Sequence, residues 1–212
     1  MAQEDQGEEG AAPAANEAAS MARAEDVGSV ARRWWWSLQP DAATRRPGER
    51  AALSRLRRAT PLDAVMQEAT LRLFGDLRRV RPDLSRDHLP RVATLASLLA
   101  QIREDDRRTP FGRAIGRSDF NNADSAALKP LRFERLIVAD GEEEIARAFR
   151  RAIAILRGRV HVADLARIVF TFDEEKTRRH LAFDYFGAGF AASGRADAPL
   201  ADTDAHAQSA AP

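Results

Sequence analysis

The side chains of this sequence best equipped for chemistry are its arginines, and they come in clusters: Arg55, Arg57 and Arg58; Arg113 and Arg117; Arg132 and Arg135; Arg147, Arg150 and Arg151; and Arg178 and Arg179 beside Lys176. A guanidinium is planar, always charged and carries five donors, so it suits two-point contact with phosphate and stacking on bases. Bond-making chemistry needs a nucleophile, a base or a metal, and here the sequence offers little. There is no cysteine, which excludes disulfides, thiolate metal sites and a cysteine nucleophile. His180 and Asp184 stand four apart and would share a helix face, but a tetrahedral metal needs two further ligands that no nearby motif supplies. His161 and Asp164 read as a pair at a helix N-terminus. Neither a G-x-S-x-G elbow nor a phosphate-cradling P-loop occurs. Most carboxylates fall in first helical turns, where the dipole accounts for them, or in the tails. The expectation is a protein with no catalytic residue, metal site or cofactor, and not an enzyme.

Any one arginine could simply belong to a solvated helix face, so the distribution of charge has to decide. The formal net charge of +1 conceals a division. Residues 1–26 hold seven acidic groups against Arg23, and residues 194–212 hold three against Arg195, which leaves 31 basic and 22 acidic residues over 27–193. A positive body with recurring basic clusters suits contact with a nucleic-acid backbone. Aromatic residues are few and lie mostly at core spacing, so base stacking does not supply sequence readout.

These clusters have to be carried by helices. The clearest pair lies within Leu131–Arg159, where Leu131, Phe133, Leu136 and Ile137 mark a first helix with Arg132 and Arg135 three apart on its flank. After Ala139-Asp140-Gly141, with Asp140 as N-cap and Glu143 completing a capping box, a second helix carries Ile145, Ala148, Phe149, Ala152, Ile153 and Leu156 in one stripe. Gly158 ends it. Upstream, a helix is expected from Asp26 to Pro40; of Trp34, Trp35 and Trp36 at least one must face away from its core, since consecutive residues lie about 100° apart. A polar loop at 41–47 precedes an arginine-rich helix over 50–58. Thr60 and Pro61 open a helix running to about Val80, and another spans about His88 to Arg103. Downstream of Arg159, helices are expected from Val162 to Phe172 and from Asp173 to Gly187 and Gly189.

The fold class is therefore all-α: two small helical bundles, 26–108 and 129–190, joined by a linker loop at 109–128 that holds Arg113 and Arg117. Residues 1–25 and 191–212 are low-complexity and expected to be disordered. No alternating strand pattern appears. With no long apolar run, no signal peptide and no cysteine, the reading is a soluble, cytoplasmic protein with no membrane partner.

In order and spacing, WWWSL, the helix RAALSRLRRA followed by TP, FGRAIG, RFERLIVAD, FRRAIAIL and KTRRHLAFDYF resemble the CasB family, the small subunit of the type I-E CRISPR Cascade surveillance complex. The resemblance covers about residues 30–187. It implies a helical, non-catalytic subunit present in two copies, touching the backbone and large subunits of Cascade. It also implies a basic surface that helps hold CRISPR RNA, target DNA and the displaced non-target strand of the R-loop. Carried over by position, that surface falls on Arg57, Arg58, Arg132, Arg150, Arg151, Lys176, Arg178 and Arg179, with Arg113, Arg117 and Arg135 as weaker matches. The chain departs from the family in its three adjacent tryptophans, a longer 117–128 loop, Phe170 and Phe172, and its acidic tails. A helical scaffold and a sequence-specific dimeric DNA-binding regulator are the alternative readings.

Overall fold

The computed structural model describes residues 26–40, 48–119 and 121–193, the stretch 188–193 by backbone alone. Among them are ten α-helices: α1 (Val27–Leu38), α2 (Arg50–Arg58), α3 (Pro61–Val65), α4 (Glu68–Val80), α5 (Leu89–Leu99), α6 (Phe111–Ile115), α7 (Pro130–Ile137), α8 (Gly141–Ile155), α9 (Val162–Phe170) and α10 (Glu175–Ser193). The fold is all-α, as the periodicity predicts. Among the described residues no helix is long and apolar enough to cross a membrane.

The helix at the centre is α5. Val92, Ala93, Thr94, Leu95, Ala96, Ser97, Leu98 and Leu99 are all shut off from solvent, and a helix apolar on every side has to be covered on every side. Its neighbours α2, α3, α4, α8 and α9 provide the cover. Ser97 costs little there because its hydroxyl donates to the Thr94 carbonyl at 2.8 Å. Helix α1 packs chiefly on α9 and α4, burying Trp34 and Trp35 and leaving Trp36 56% exposed. Trp34 Nε1 donates to the Ala69 carbonyl at 2.8 Å.

One buried cluster extends from Val27 to Tyr185, and Phe111, Ile115, Ala126 and Leu128 of the 109–128 segment belong to it. Phe111 stacks on Phe149 with centroids 5.6 Å apart, and Phe149 meets Phe172 edge-on. Helix α6 lies against α10 so closely that a Cβ at Gly116 would strike the Tyr185 carbonyl and one at Gly112 would stand 2.6 Å from Asp184 Cβ. Residues 117–126 leave and return at one place, since Leu128 N–H donates to the Ile115 carbonyl at 2.9 Å and Ala127 N–H to that of Gly116 at 3.4 Å.

Polar contacts tie these layers together. Arg91, buried on α5, sends Nε to Glu142 at 2.7 Å, Nη1 to the Val169 carbonyl at 3.0 Å and Nη2 to both Asp173 oxygens at 2.8 and 2.9 Å. Burial opposes its charge, but the bonds to Asp173 and Glu142 outweigh that and push its pKa above the usual arginine value. Also on α9, Arg167 pairs with Asp26, which caps α1 through Ser29 N–H. Partial burial works against the Asp26 carboxylate, yet the bonds from Arg167 and Ser29 hold its pKa at about 2.

Several expectations are corrected. The helix expected from Pro61 to Val80 breaks at Met66 and Gln67, giving α3 and α4. Both N-terminal devices belong to α3, with Thr60 as its N-cap and Pro61 in its first turn as read, and Asp63 completes a capping box that the spacing did not announce. The helix expected to reach Arg103 stops at Leu99, and residues 104–105 pair in parallel with 159–160. Strands of two residues are too short to show alternation. Asp140 makes no side-chain cap; its N–H instead donates to Glu144 at 3.3 Å, and Glu142 is drawn to Arg91. Helix α8 closes at Leu156, and Arg157 with φ of 56° precedes Gly158 at 77°. Helix α9 stops at Phe170. Gly187 and Gly189 do not end α10, which reaches Ser193 and so takes in 191–193; a glycine within a helix costs only about 1 kcal/mol. The tails 1–25 and 194–212 and the loop 41–47 lie outside the described residues.

Removing a buried charge's partner leaves the others uncompensated. With Asp173 largely exposed, Arg91→Ala is expected to cost about 3 kcal/mol, measured by chemical denaturation. Asp26→Asn keeps a capping side chain but loses the ion pair. Because the folded pKa is depressed, that pair stabilises above the unfolded value of about 3.9 and is lost as pH falls through about 2. The variant should be less stable at neutral pH by about 1 kcal/mol or less, given the exposure. The difference should vanish between about pH 4 and pH 2 in thermal melts.

Candidate nucleic-acid interface

A helix ends with carbonyls that lack intrahelical donors, and the C-termini of α2 and α5 meet against the middle of α8. Arginines are recruited to them. Arg57 Nε donates to the carbonyl of Ala100, which caps α5, at 2.7 Å. Gln101 answers with a bond to the Arg57 carbonyl at 2.9 Å. Arg150 Nη2 donates to the carbonyl of Ala59, which caps α2, at 2.6 Å and approaches Ser97 Oγ at 3.3 Å. Positive charge at these negative helix ends is favourable. Arg150 therefore braces three helices.

The arginines beside this brace are exposed. Arg58, Arg147 and Arg151 form no hydrogen bond or ion pair with the described residues. The edge they begin is extended by two residues that spacing alone does not single out. Arg103 and Arg157 are exposed on either side of the contact in which Arg103 N–H donates to the Gly158 carbonyl at 2.9 Å. Their signal in the sequence is weak, because Arg157 owes its place to a left-handed turn that favours glycine.

A second basic region sits on α6, α7 and α10. Phe133 and Leu136 face the core from α7, and Phe133 stacks on Tyr185 with centroids 3.7 Å apart. That leaves Arg132 and Arg135 on the outer face, exposed and without partners among the described residues. Arg117 lies 5.0 Å over the Phe186 ring. Arg113 is exposed and 3.8 Å from Asp184, whose pKa is raised by burial and only partly lowered again by Arg113.

At the start of α10 the cluster divides. Arg178 turns inward, donating to the Phe172 carbonyl at 2.9 Å and the Ala139 carbonyl at 3.3 Å, with its guanidinium 5.0 Å over Phe172. Arg179 pairs with Glu175 at 2.9 Å on the surface. Lys176 is exposed and unpaired among the described residues. The fold thus joins Arg57, Arg58, Arg147, Arg150 and Arg151 around one helix junction, while Arg132 and Arg135 stand on a separate helix, α7.

The histidine pairs are explained locally. His161 caps α9 by accepting Asp164 N–H at 3.3 Å, and Asp164 accepts Phe111 N–H at 2.6 Å. His180 and Asp184 line a groove between α9 and α10 with Asp164 and Arg167. No group of three metal-binding side chains occurs among the described residues.

A helical body with an arginine-braced junction and partner-free arginines around it is what a family model described as CRISPR-associated protein Cse2 covers over residues 49–186. The chain belongs to the Cse2 family. It is accordingly a subunit of the CRISPR type I-E Cascade complex, in a family of structural subunits and not of known enzymes. The Cse2 match takes in every arginine cluster named above and begins after α1 with its tryptophans. Neither the characterised proteins nor the solved structures compared with the chain match it.

The division among the arginines has a direct consequence for stability. Arg150→Ala and Arg178→Ala strip donors from partly buried carbonyls and should each cost about 1–3 kcal/mol. Arg132→Ala and Arg151→Ala, on open surface, should stay within about 0.5 kcal/mol of the parent. Urea denaturation of the four variants checks this.

Proposed function

We propose that this Cse2-family chain is a non-catalytic Cascade subunit that binds nucleic-acid backbones without sequence preference. On this reading it holds the assembly of CRISPR RNA and target DNA, and it stabilises the displaced non-target strand of the R-loop during antiviral defence in the cytoplasm. Its other partners are the Cascade backbone and large subunits and a second copy of itself. The observation that carries the reading is the junction of α2, α5 and α8, where Arg58, Arg147 and Arg151 are exposed with no carboxylate among the described residues to satisfy them. Such guanidiniums are available to phosphate, and each contact formed releases condensed counterions.

Arg57, Arg150 and Arg178 already donate to main-chain carbonyls. They take the role of shaping the surface, and Arg58, Arg132, Arg135, Arg151 and Lys176 take that of meeting phosphate, with Arg113, Arg117 and Arg179 at its margins. The proposal fits the division of labour in RNA-guided recognition, in which base pairing reads the sequence while protein charge supports the opened strands.

The test is a salt titration. Arg58→Ala/Arg151→Ala should weaken single-stranded DNA binding to a similar degree for unrelated sequences. The slope of log affinity against log salt should fall by about 0.7 per lost contact, read by fluorescence anisotropy on the isolated protein and by R-loop formation on the assembled complex. Unaltered affinity and slope in both settings would leave a purely scaffolding subunit.

A further inference from the structure

The surface beside the arginine junction has a different chemistry. Helix α3 stops at Val65, and Leu62 within it and its C-cap residue Met66 both turn outward. Leu62 is 76% exposed and Met66 80%, four residues apart and so on one face. Next to them lies a groove of about 360 Å³ whose apolar lining is Pro61, Leu62, Val65 and Pro90. Its other wall is the start of α8, with Asp140, Glu142 and Glu143. No basic side chain among the described residues lines it.

The wall is negative for a structural reason. Glu142 is fixed by Arg91 through one carboxylate oxygen, and Oε2 has no hydrogen-bond partner among the described residues. Asp140 and Glu143 are exposed. An apolar centre with a charged rim is the pattern of a protein-docking surface, and methionine lets such a surface adapt to its occupant. The carboxylates repel phosphate, so this face is closed to nucleic acid and complementary to a cation.

We propose that the groove between α3 and the start of α8 docks a protein segment of another Cascade subunit, one that places an apolar side chain on Leu62 and Met66 with lysine or arginine against Asp140 and Glu143. This rests on membership of the Cse2 family and not on the nucleic-acid reading. Ala59 and Thr60 alone separate Arg58 from Pro61. A basic segment docked here would therefore lie next to the arginine edge and continue its positive charge.

The experiment uses the complete complex, assembled from this chain and the remaining Cascade subunits of its own system. Native mass spectrometry reads how fully this subunit is occupied, in parallel with sedimentation and single-stranded DNA binding of the isolated protein. Leu62→Asp/Met66→Asp should reduce occupancy at least tenfold at limiting concentration, with its unfolding midpoint and DNA affinity unchanged. Glu143→Lys should reduce occupancy in the same direction, and Met66→Leu should assemble normally. Full occupancy of the double variant overturns the proposal. Parent-like occupancy of Glu143→Lys removes the basic flank from it. Self-association of the parent that the double variant abolishes would make the occupant a second copy, and loss of DNA binding by the isolated variant would make the face part of the phosphate surface; either result overturns it.

Discussion

Two stretches of chain, each more than fifty residues from Arg91 in sequence, end on its guanidinium. Arg91 leaves the central helix to meet Glu142 at the start of α8, the Val169 carbonyl at the end of α9, and Asp173 in the turn before α10. Apolar packing alone would let α8 slide or rotate on α5, because burial has no direction. The forked donors of arginine do have direction, and they set where α8 begins. The position of Arg147, Arg150 and Arg151 against α2 follows from that register, and so does the placement of the acidic wall beside α3. A buried ion pair is weak evidence for stability, since desolvation consumes much of the attraction. Its contribution in this protein is orientation.

Arginine then serves two ends in one molecule. Where helix C-termini converge, Arg57 and Arg150 supply donors to carbonyls that the helices cannot satisfy themselves, and Arg178 does the same for the Phe172 carbonyl. A single step along each helix reverses the use: Arg58 follows Arg57, Arg151 follows Arg150 and Arg179 follows Arg178, and all three are exposed. Consecutive residues on a helix are turned about 100° from one another, so an arginine aimed at a carbonyl leaves its neighbour aimed at water. A count of basic residues cannot separate these roles, whereas their hydrogen bonds to main-chain carbonyls can.

Much of this was legible from spacing. The stripe Ile145, Phe149, Ala152 and Ile153 is the core face of α8, Thr60-Pro61 opens a helix, His161 caps one, and one of three tryptophans is left outside. What stayed hidden depended on partners distant in sequence. Arg91 sits in an apolar helix and looks like its solvated exception, until Glu142 and Asp173 arrive from 51 and 82 residues away. Arg150 carries no local mark that distinguishes it from Arg151. The break at Met66 has neither glycine nor proline to announce it, and the pairing of 104–105 with 159–160 is too short to leave a pattern.

The segment 117–126 is closed at its base by the bonds from Ala127 and Leu128 to the Gly116 and Ile115 carbonyls. Ile115, Ala126 and Leu128 belong to the buried cluster, so the core on which the segment rests holds its two ends together. Extra length in a loop whose ends are already held costs only logarithmically. A change of length confined to 119–124 therefore lies outside α6, α7 and Arg117, whose N–H donates to the Tyr185 carbonyl at 3.1 Å. The segment is in effect a margin of variable length, where a fluorophore or an affinity sequence can be inserted without altering the surfaces on either side.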